Sequence, residues 1–413
     1  MKRLVTVTAA TLAAAVLVFS CASTSKASDG GEKTTKAKGG KNAPLAEDTP
    51  DFVPTLATPT YKFDLGGKGA AEGWTAVSAK DAYSAEKGYG FNTPDNVEDV
   101  DSKGENELSD GVKFLTGSDS TNSDNTFNVD LPSGLYEIVV YAGGDAFRQS
   151  ICAEGHFQVM DLVGSTNSDY FRVPVTDGQL NLYTRAGKDG QTYALSAITI
   201  AKLSDDPTLP PTVWFCGDST VCNYYPDKSA PYGYQYGRHG WGQDFASFIK
   251  DGWYVHNMAT GGQTAEGFFT SGQHDTVKTY IKKGDYYIIG IGINDQGRKL
   301  PEQLYKMYIT NMVKDAKAAE AIPILVGQQG RKGDLGRKLP GRYYNHILEE
   351  VAKEQDVQFI NLFKLFDDYK ESLGAAHQDM IDALYANEDL HISPKGAKKC
   401  AQLIADQIPA LKK

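Results

Sequence analysis

The sequence lacks several features that define common classes of functional protein. Its 413 residues include only five cysteines, which are too few and too scattered for a disulfide framework. It has no His/Cys cluster with metal-ligand spacing, no internal repeat and no Gly-x-Ser-x-Gly, the signature of an α/β-hydrolase nucleophile elbow. It also has no excess of basic residues, because the formal net charge is −10. The charge argues against nucleic acid as a partner, and the sequence predicts no metal site.

Long apolar runs are also scarce, and the N-terminal one carries a targeting signal. The run from Leu4 to Phe19 follows Met-Lys-Arg and is short for a membrane span. This order of a charged and an apolar region predicts an export signal over residues 1–21. Cys21 follows a small residue, as in bacterial lipoprotein signals, although Phe19 departs from the small residue usual two positions before the cysteine. Lipidation of Cys21 and ordinary signal cleavage both stay open, for a cell-surface lipoprotein or a secreted protein.

Changes in composition divide the remaining chain into three parts. Residues 22–58 are rich in Ser, Thr, Lys, Gly and Pro, which predicts a disordered tether. Residues 59–205 alternate short extended segments, such as "FNVDL" and "YFRVPV", with turns, which predicts an all-β sandwich. After the Pro-rich break "DDPTLPPT", residues 212–413 carry continuous apolar runs separated by amphipathic stretches. That pattern predicts an α/β domain, a parallel sheet covered by helices.

Four informative positions follow the apolar runs or precede the last predicted helix. Ser219 stands in "CGDS", Gly262 in "NMATGGQT", Asn294 in "GIGIND" and His391 in "NEDLHISPKGA". Ligands of open α/β sheets bind beyond the carboxyl ends of the strands, so we expect these positions to share one site.

Their residue types suit acyl transfer. His391 can take the proton of the Ser219 hydroxyl if an acid orients its ring. The Ser219 and Gly262 backbone amides and the Asn294 side-chain amide can form an oxyanion hole. Glu388 and Asp389 are both candidates for the acid.

The blocks "GDST", "NMATGGQT", "GIND" and acid-x-x-His resemble those of the SGNH (GDSL-type) hydrolases. With "GWGQ" after the serine, they are most similar to the rhamnogalacturonan acetylesterase group of carbohydrate esterases, from residue 212 to the C-terminus. The resemblance implies a three-layer, flavodoxin-like fold and an acyl-serine mechanism without a cofactor. Family spacing favours Glu388 as the acid, whereas side-chain identity favours Asp389. "YKFDLGGKG" resembles the start of a galactose-binding-like sandwich that precedes this catalytic domain in bacterial members.

Two loops and one pair of cysteines have alternative interpretations. In "SAPYGYQYGRHGWGQDF", Tyr236 and Trp241 can stack on sugar rings and Arg238 can pair with a uronate, but Trp241 can equally pack the loop onto the body. The basic loop "GQQGRKGDLGRKLPGRYYN" suits a polyanionic substrate or is simply solvated. Cys216 and Cys222 can pair, although buried free thiols are the preferred interpretation.

Together these patterns predict an exported, monomeric carbohydrate esterase that deacetylates plant cell-wall polysaccharide, pectic rhamnogalacturonan or a related polymer. An SGNH lipase or thioesterase acting on other acyl esters is one alternative. A catalytically inactive glycan-binding surface protein is the other. The predicted sandwich is expected to frame the substrate or support the structure rather than to bind glycan independently.

Overall fold

The computed structural model describes residues 49–67, 69–102, 107–115, 125–187 and 191–413. The predicted export signal with Cys21, and the predicted tether as far as residue 48, lie outside these residues.

Antiparallel pairing dominates residues 61–204, which form one sheet of seven strands and one of five. The first twelve strands are β1 (Tyr61–Leu65), β2 (Thr75–Val77), β3 (Tyr89–Phe91), β4 (Val97–Val100), β5 (Gly111–Phe114), β6 (Phe127–Asp130), β7 (Gly134–Ala142), β8 (Arg148–Ala153), β9 (His156–Val163), β10 (Ser168–Val175), β11 (Gln179–Ala186) and β12 (Leu195–Ser204). The larger sheet has the order β10-β7-β12-β1-β2, with β5 also on β12 and β4 on β5, and the smaller has the order β3-β6-β11-β8-β9. Alternate residues Phe171, Val173 and Val175 of β10 are fully buried, which is the period of two expected of a strand with one face on the core. The predicted all-β fold is confirmed, and we call this part the sandwich.

Residues 212–413 contain a parallel sheet with helices, so the predicted α/β fold is confirmed as well. Its strands are β13 (Thr212–Gly217), β14 (Tyr254–Asn257), β15 (Tyr286–Gly290), β16 (Ile322–Val326) and β17 (Gln358–Ile360). They lie in the order β14-β13-β15-β16-β17, and every pairing is parallel. The helices are α1 (Ala265–Thr270), α2 (Gln273–Tyr280), α3 (Ile293–Gly297), α4 (Glu302–Ala318), α5 (Asn345–Gln355), α6 (Leu362–Leu373), α7 (Gln378–Ala383) and α8 (Pro394–Ala405). None of the helices in the described part of the chain has the length and apolar character needed to cross a bilayer.

Both faces of the parallel sheet are buried, which explains its uninterrupted apolar strands. Along β13, Val213 and Phe215 point into a hydrophobic cluster on one side of the sheet. Trp214 and Cys216 point to the other side, where their cluster continues without a break into the core of the sandwich. β12 ends at Ser204 and β13 begins at Thr212, but the predicted division into separate domains stays a prediction because this hydrophobic core runs through both parts.

Backbone amides of the segment 49–58, the end of the predicted tether, donate hydrogen bonds to the rest of the molecule. The Phe52 backbone amide donates to Asp244 Oδ1 at 2.9 Å, and the Ala57 amide donates to Glu137 Oε1 at 2.7 Å. Carboxylates far away in the sequence therefore bind backbone amides that the composition of this segment predicts to be solvated.

The described cysteines are unpaired. Cys152, Cys216, Cys222 and Cys400 are all free and buried, so the alternative of a Cys216–Cys222 disulfide is wrong. Burial raises the pKa of the Cys152 thiol to about 12, which keeps it protonated and unreactive at neutral pH.

Candidate active site

Strand β13 ends in a turn that places Ser219 at the carboxyl edge of the sheet. A Cβ atom on Gly217 would lie only 2.4 Å from Cβ of Val221, so the turn can close only around a glycine. The next side chain, Asp218, is fully buried and its Oδ1 accepts from the Thr220 amide at 3.0 Å. Burial raises the pKa of Asp218 to about 6. The Gly-Asp pair thus serves the turn, and Ser219 emerges half-buried after it.

His391 lies against this serine although 172 residues separate them. Its Nε2 is 2.8 Å from the Ser219 hydroxyl oxygen. The loop that carries it closes on itself, since the Ala386 amide donates to the His391 carbonyl at 2.9 Å. On the other side of the ring, Glu388 Oε1 lies 2.9 Å from Nδ1. Hydroxyl, imidazole and carboxylate therefore form a continuous chain of short contacts.

The structure separates the two candidate acids, which the sequence left open. Asp389 faces away from the imidazole toward the basic loop, where its Oδ1 accepts from the Gly333 amide at 2.9 Å and its Oδ2 lies 3.6 Å from the Arg331 guanidinium. Glu388 is the carboxylate beside His391. Glu388, three residues before His391, reaches back over the tight turn to the imidazole. Asp389, two residues before it, points to the opposite side.

The two remaining predicted oxyanion residues, Gly262 and Asn294, line the same cavity as Ser219. Gly262 has φ +79°, a left-handed conformation that favours glycine. Asn294 donates through Nδ2 to the Gln263 carbonyl at 3.0 Å. A side-chain amide nitrogen carries two hydrogens, so one remains for a ligand while the other fixes its orientation.

A residue of the sandwich, Asp161, holds the loop that carries Gly262. Its Oδ2 accepts hydrogen bonds from the Thr260 hydroxyl and from the Gly261 amide, the latter at 3.3 Å. Asp161 itself has φ +54°, an uncommon conformation for a residue with a side chain. Sequence reasoning missed it because it lies inside β9, outside any motif.

Charges around His391 set its protonation. Burial lowers the pKa of His391, and the Arg238 guanidinium lowers it further, while Glu388 opposes both. Burial by itself would raise the pKa of Glu388, but the bond to His391 and the charge of Arg238 outweigh it and lower that pKa. The imidazole is therefore neutral and the carboxylate ionised near pH 7, as general-base catalysis requires.

The cavity around Ser219 has a volume of about 320 Å³. Tyr236 and Arg238 line it as the sequence predicted, and the Tyr236 side chain is 54% exposed. Arg238, however, already pairs with Glu388, since its Nε donates to Oε1 at 2.8 Å. The sequence did not indicate this pairing.

Trp241 does not line the cavity, which corrects its predicted role in binding sugar. It is 1% exposed, and its indole packs edge-on against Phe215 with the ring centroids 5.3 Å apart. A Cβ on Gly290 would lie 2.8 Å from the indole, so that glycine makes room for the ring within the core. The alternative interpretation, a packing role, is the one that fits.

The described structure also contains a cavity away from Ser219. This larger cavity of about 480 Å³ lies between the loop 336–340 and α6, and its lining contains no serine, cysteine or histidine. Among the described residues, no group of three or more His, Cys, Asp and Glu side chains is arranged to hold a metal ion.

Comparison with known proteins assigns both halves of the chain. Residues 61–201 match the "Beta-agarase/YXIM esterase-like, galactose-binding domain-like" family, and residues 215–399 match the "GDSL-like Lipase/Acylhydrolase family". The chain is 41% identical over 356 residues to the uncharacterized esterase YxiM of Bacillus subtilis, which covers 84% of this chain and 90% of that protein. The chain belongs to the YxiM-like esterases of the GDSL (SGNH) hydrolase family. It is therefore a carboxylic ester hydrolase.

One solved structure and one further relative add to this comparison. A crystal structure of the B. subtilis YxiM protein superposes with a TM-score of 0.79 at 40% identity, covering 84% of this chain and 98% of that one. The rhamnogalacturonan acetylesterase RhgT of B. subtilis is 29% identical over 221 residues, which is 49% of this chain and 91% of RhgT. The predicted resemblance to SGNH hydrolases with an N-terminal galactose-binding-like domain is thus confirmed.

Proposed function

We propose that this esterase is an exported enzyme that removes acetyl groups from plant cell-wall polysaccharide, pectic rhamnogalacturonan or a related polymer, through an acyl-serine intermediate. The observation that supports it best is the line of contacts from Ser219 through His391 to Glu388, at 2.8 and 2.9 Å. The name of the relative RhgT supports the choice of an acetylated pectic substrate.

In the first step, the neutral His391 takes the Ser219 proton as Oγ bonds to the acetyl carbonyl carbon. The oxyanion that forms is stabilised by the Ser219 and Gly262 amides and by Asn294 Nδ2. The C–O bond to the sugar then breaks, and the sugar oxygen leaves with the proton held by His391. In the second step, His391 deprotonates a water molecule that attacks the acetyl-serine, and acetate departs as Ser219 regains its proton. Glu388 holds the ring throughout.

The shape and polarity of the cavity favour a small acyl group on a sugar. Its lining includes the polar side chains of Gln235, Asn223 and Arg238, which suit hydroxylated rings rather than a long alkyl chain. The exposed ring of Tyr236 provides an apolar face on which a sugar can stack.

The proposal is tested by acetate release from acetylated rhamnogalacturonan and from acetylated xylan, alongside hydrolysis of 4-nitrophenyl acetate and longer 4-nitrophenyl esters. We expect fastest turnover of the pectic polymer, preference for acetate over long acyl chains, and a loss of at least about 10³-fold in Ser219→Ala on every substrate. Preference for long acyl chains would instead support a lipase or thioesterase. Absence of turnover on all esters would support an inactive glycan-binding protein.

Export and attachment through Cys21 are part of the same proposal. They are supported by the charged and apolar order of residues 1–21. Fractionation of bacterial cells that express the full chain, with mass spectrometry of its N-terminus, tests both. We expect a diacylglyceryl-modified Cys21 at the cell surface, and release of active enzyme into the medium by Cys21→Ala. Wild-type enzyme retained in the cytoplasm would contradict export, and exported enzyme without lipid on Cys21 would contradict anchoring.

A further inference from the structure

The sandwich forms part of the wall of the catalytic cavity. Arg148 of β8 and Asp161 and Val163 of β9 line the same space as Ser219 and His391. A ligand that presents an acetyl group to the serine therefore has to contact the sandwich as well.

Arg148 is the unusual member of this wall. Its side chain is only 13% exposed, and the nearest carboxylate oxygen, Asp161 Oδ1, lies 3.7 Å from its Nε, beyond hydrogen-bond distance. Nε is buried without an acceptor among the residues that the structure describes. A buried guanidinium nitrogen without a hydrogen-bond acceptor costs free energy, so the hydrogen-bonding capacity of Arg148 is not fully used within the protein.

Asp161 forms an ion pair with Arg148 but gives its Nε no hydrogen bond. Asp161 uses its other carboxylate oxygen to accept from Thr260 and Gly261. The second arginine of the cavity, Arg238, is paired with Glu388. Of the two arginines that line the cavity, Arg148 is therefore the one whose guanidinium has an Nε without a hydrogen bond.

We propose that Arg148 binds a carboxylate of the substrate, so that the sandwich selects acetylated polymers in which a uronic acid lies at or next to the acetylated sugar. This inference rests on the proposed function, because it takes the substrate to be an acetylated polysaccharide. The planar guanidinium matches a carboxylate in geometry and charge. The cavity volume of about 320 Å³ confines Arg148 and Ser219 to one small pocket, so the carboxylate and the acetyl group belong to the same or adjacent sugars.

The test uses two substrates that differ only in the carboxylate: the methyl glycoside of mono-acetylated galacturonic acid and that of galactose acetylated at the same position. The quantity measured is the ratio of their kcat/KM values. We expect the wild type to prefer the galacturonate and Arg148→Gln to lower this ratio about 10- to 100-fold, the effect of losing a hydrogen bond between charged groups. Arg148→Lys, which keeps the charge but loses the fork, is expected to fall in between.

The matched control is Lys202→Gln, which removes one positive charge from an exposed position of β12 outside the cavity. It should leave the ratio unchanged. A wild-type ratio near one, or an equal loss on both substrates in Arg148→Gln, overturns the inference, because a residue that only supports the fold would affect both alike. If Arg148→Gln does not fold, Arg148→Lys decides by the same ratio. Wild-type enzyme that cleaves 4-nitrophenyl acetate but neither glycoside contradicts the proposed function instead.

Discussion

The two halves of this molecule contribute to the candidate site in different ways. The α/β half supplies the groups proposed to react, and each lies shortly after a strand or on a tight turn, where a short sequence block marks it. The sandwich supplies Arg148 from the start of β8 and Asp161 from within β9, where no sequence block marks them. The groups proposed to react are thus marked by local sequence, whereas the sandwich side chains that line the cavity reach it only because one half docks on the other.

The docking surface is itself rich in buried polar contacts. The Tyr225 hydroxyl donates to Asp169 Oδ2 at 2.5 Å, and His256 Nε2 lies 2.8 Å from the Gln158 carbonyl. These contacts fix orientation more strictly than apolar packing does, because a displaced polar partner would be left buried and unpaired. The sandwich is therefore better described as part of the catalytic unit than as an appended module.

The largest effect is expected on the α/β side, in Glu388→Gln. Loss of the carboxylate leaves His391 without its negatively charged partner, so kcat/KM on 4-nitrophenyl acetate should fall about 10³-fold or more. The matched variant Asp389→Asn removes the neighbouring charge, which faces the basic loop, and should stay within a few-fold of wild type. A larger loss in Asp389→Asn would reverse the assignment of the acid.

The next effect concerns the contact between the halves. Burial lowers the pKa of His256 to about 4. Below pH 6.5 the unfolded chain takes up a proton that the folded chain refuses, so the free energy of unfolding should decrease by about 3 kcal/mol between pH 7 and 4 from this residue. His256→Gln cannot titrate, and urea unfolding should show a smaller loss for it on acidification. Equal losses in the two proteins would contradict this role.

A more moderate effect is expected when Asp161 no longer holds the loop that carries Gly262. Asp161→Ala removes the acceptor of Thr260 and Gly261, so kcat on 4-nitrophenyl acetate should fall about tenfold, with KM little changed. Asp161→Asn keeps one acceptor oxygen and should recover part of kcat. The control Asp169→Asn weakens another contact between the halves and should lower the melting temperature without lowering kcat. Equal kcat losses at both positions would mean that Asp161 acts only through stability.

The smallest effect is a displacement of the pH profile. Because the pKa of His391 is lowered, the acid limb of kcat/KM should have its midpoint below 6.5. Arg238→Gln removes a positive charge that lowers this pKa, so its midpoint should move to higher pH. Initial rates from pH 4 to 9 give both midpoints. A midpoint that moves to lower pH would mean that Arg238 acts mainly by constraining Glu388.

These differences explain which features the sequence could predict. Ser219, Gly262, Asn294 and His391 were predictable because the end of a parallel strand and a turn have local signatures, and the strand order brings such ends together. The choice between Glu388 and Asp389 depended on which way a tight turn points its side chains. The buried position of Trp241 could not be predicted, because it depends on the space left by Gly290, which is distant in the sequence. The surface of the sandwich that contacts the α/β half has no repeating local sequence pattern, so Arg148 and Asp161 could not be found from the sequence.

The unbroken hydrophobic core between the halves has a practical consequence for anyone who wishes to redesign this enzyme. Replacing the sandwich with the corresponding half of a related protein would expose or mispack the apolar side chains around Trp214 and Tyr254, where the two halves share one core. Substrate specificity is better altered by substituting individual residues of β8 and β9 that line the cavity, while the shared hydrophobic core is left unchanged.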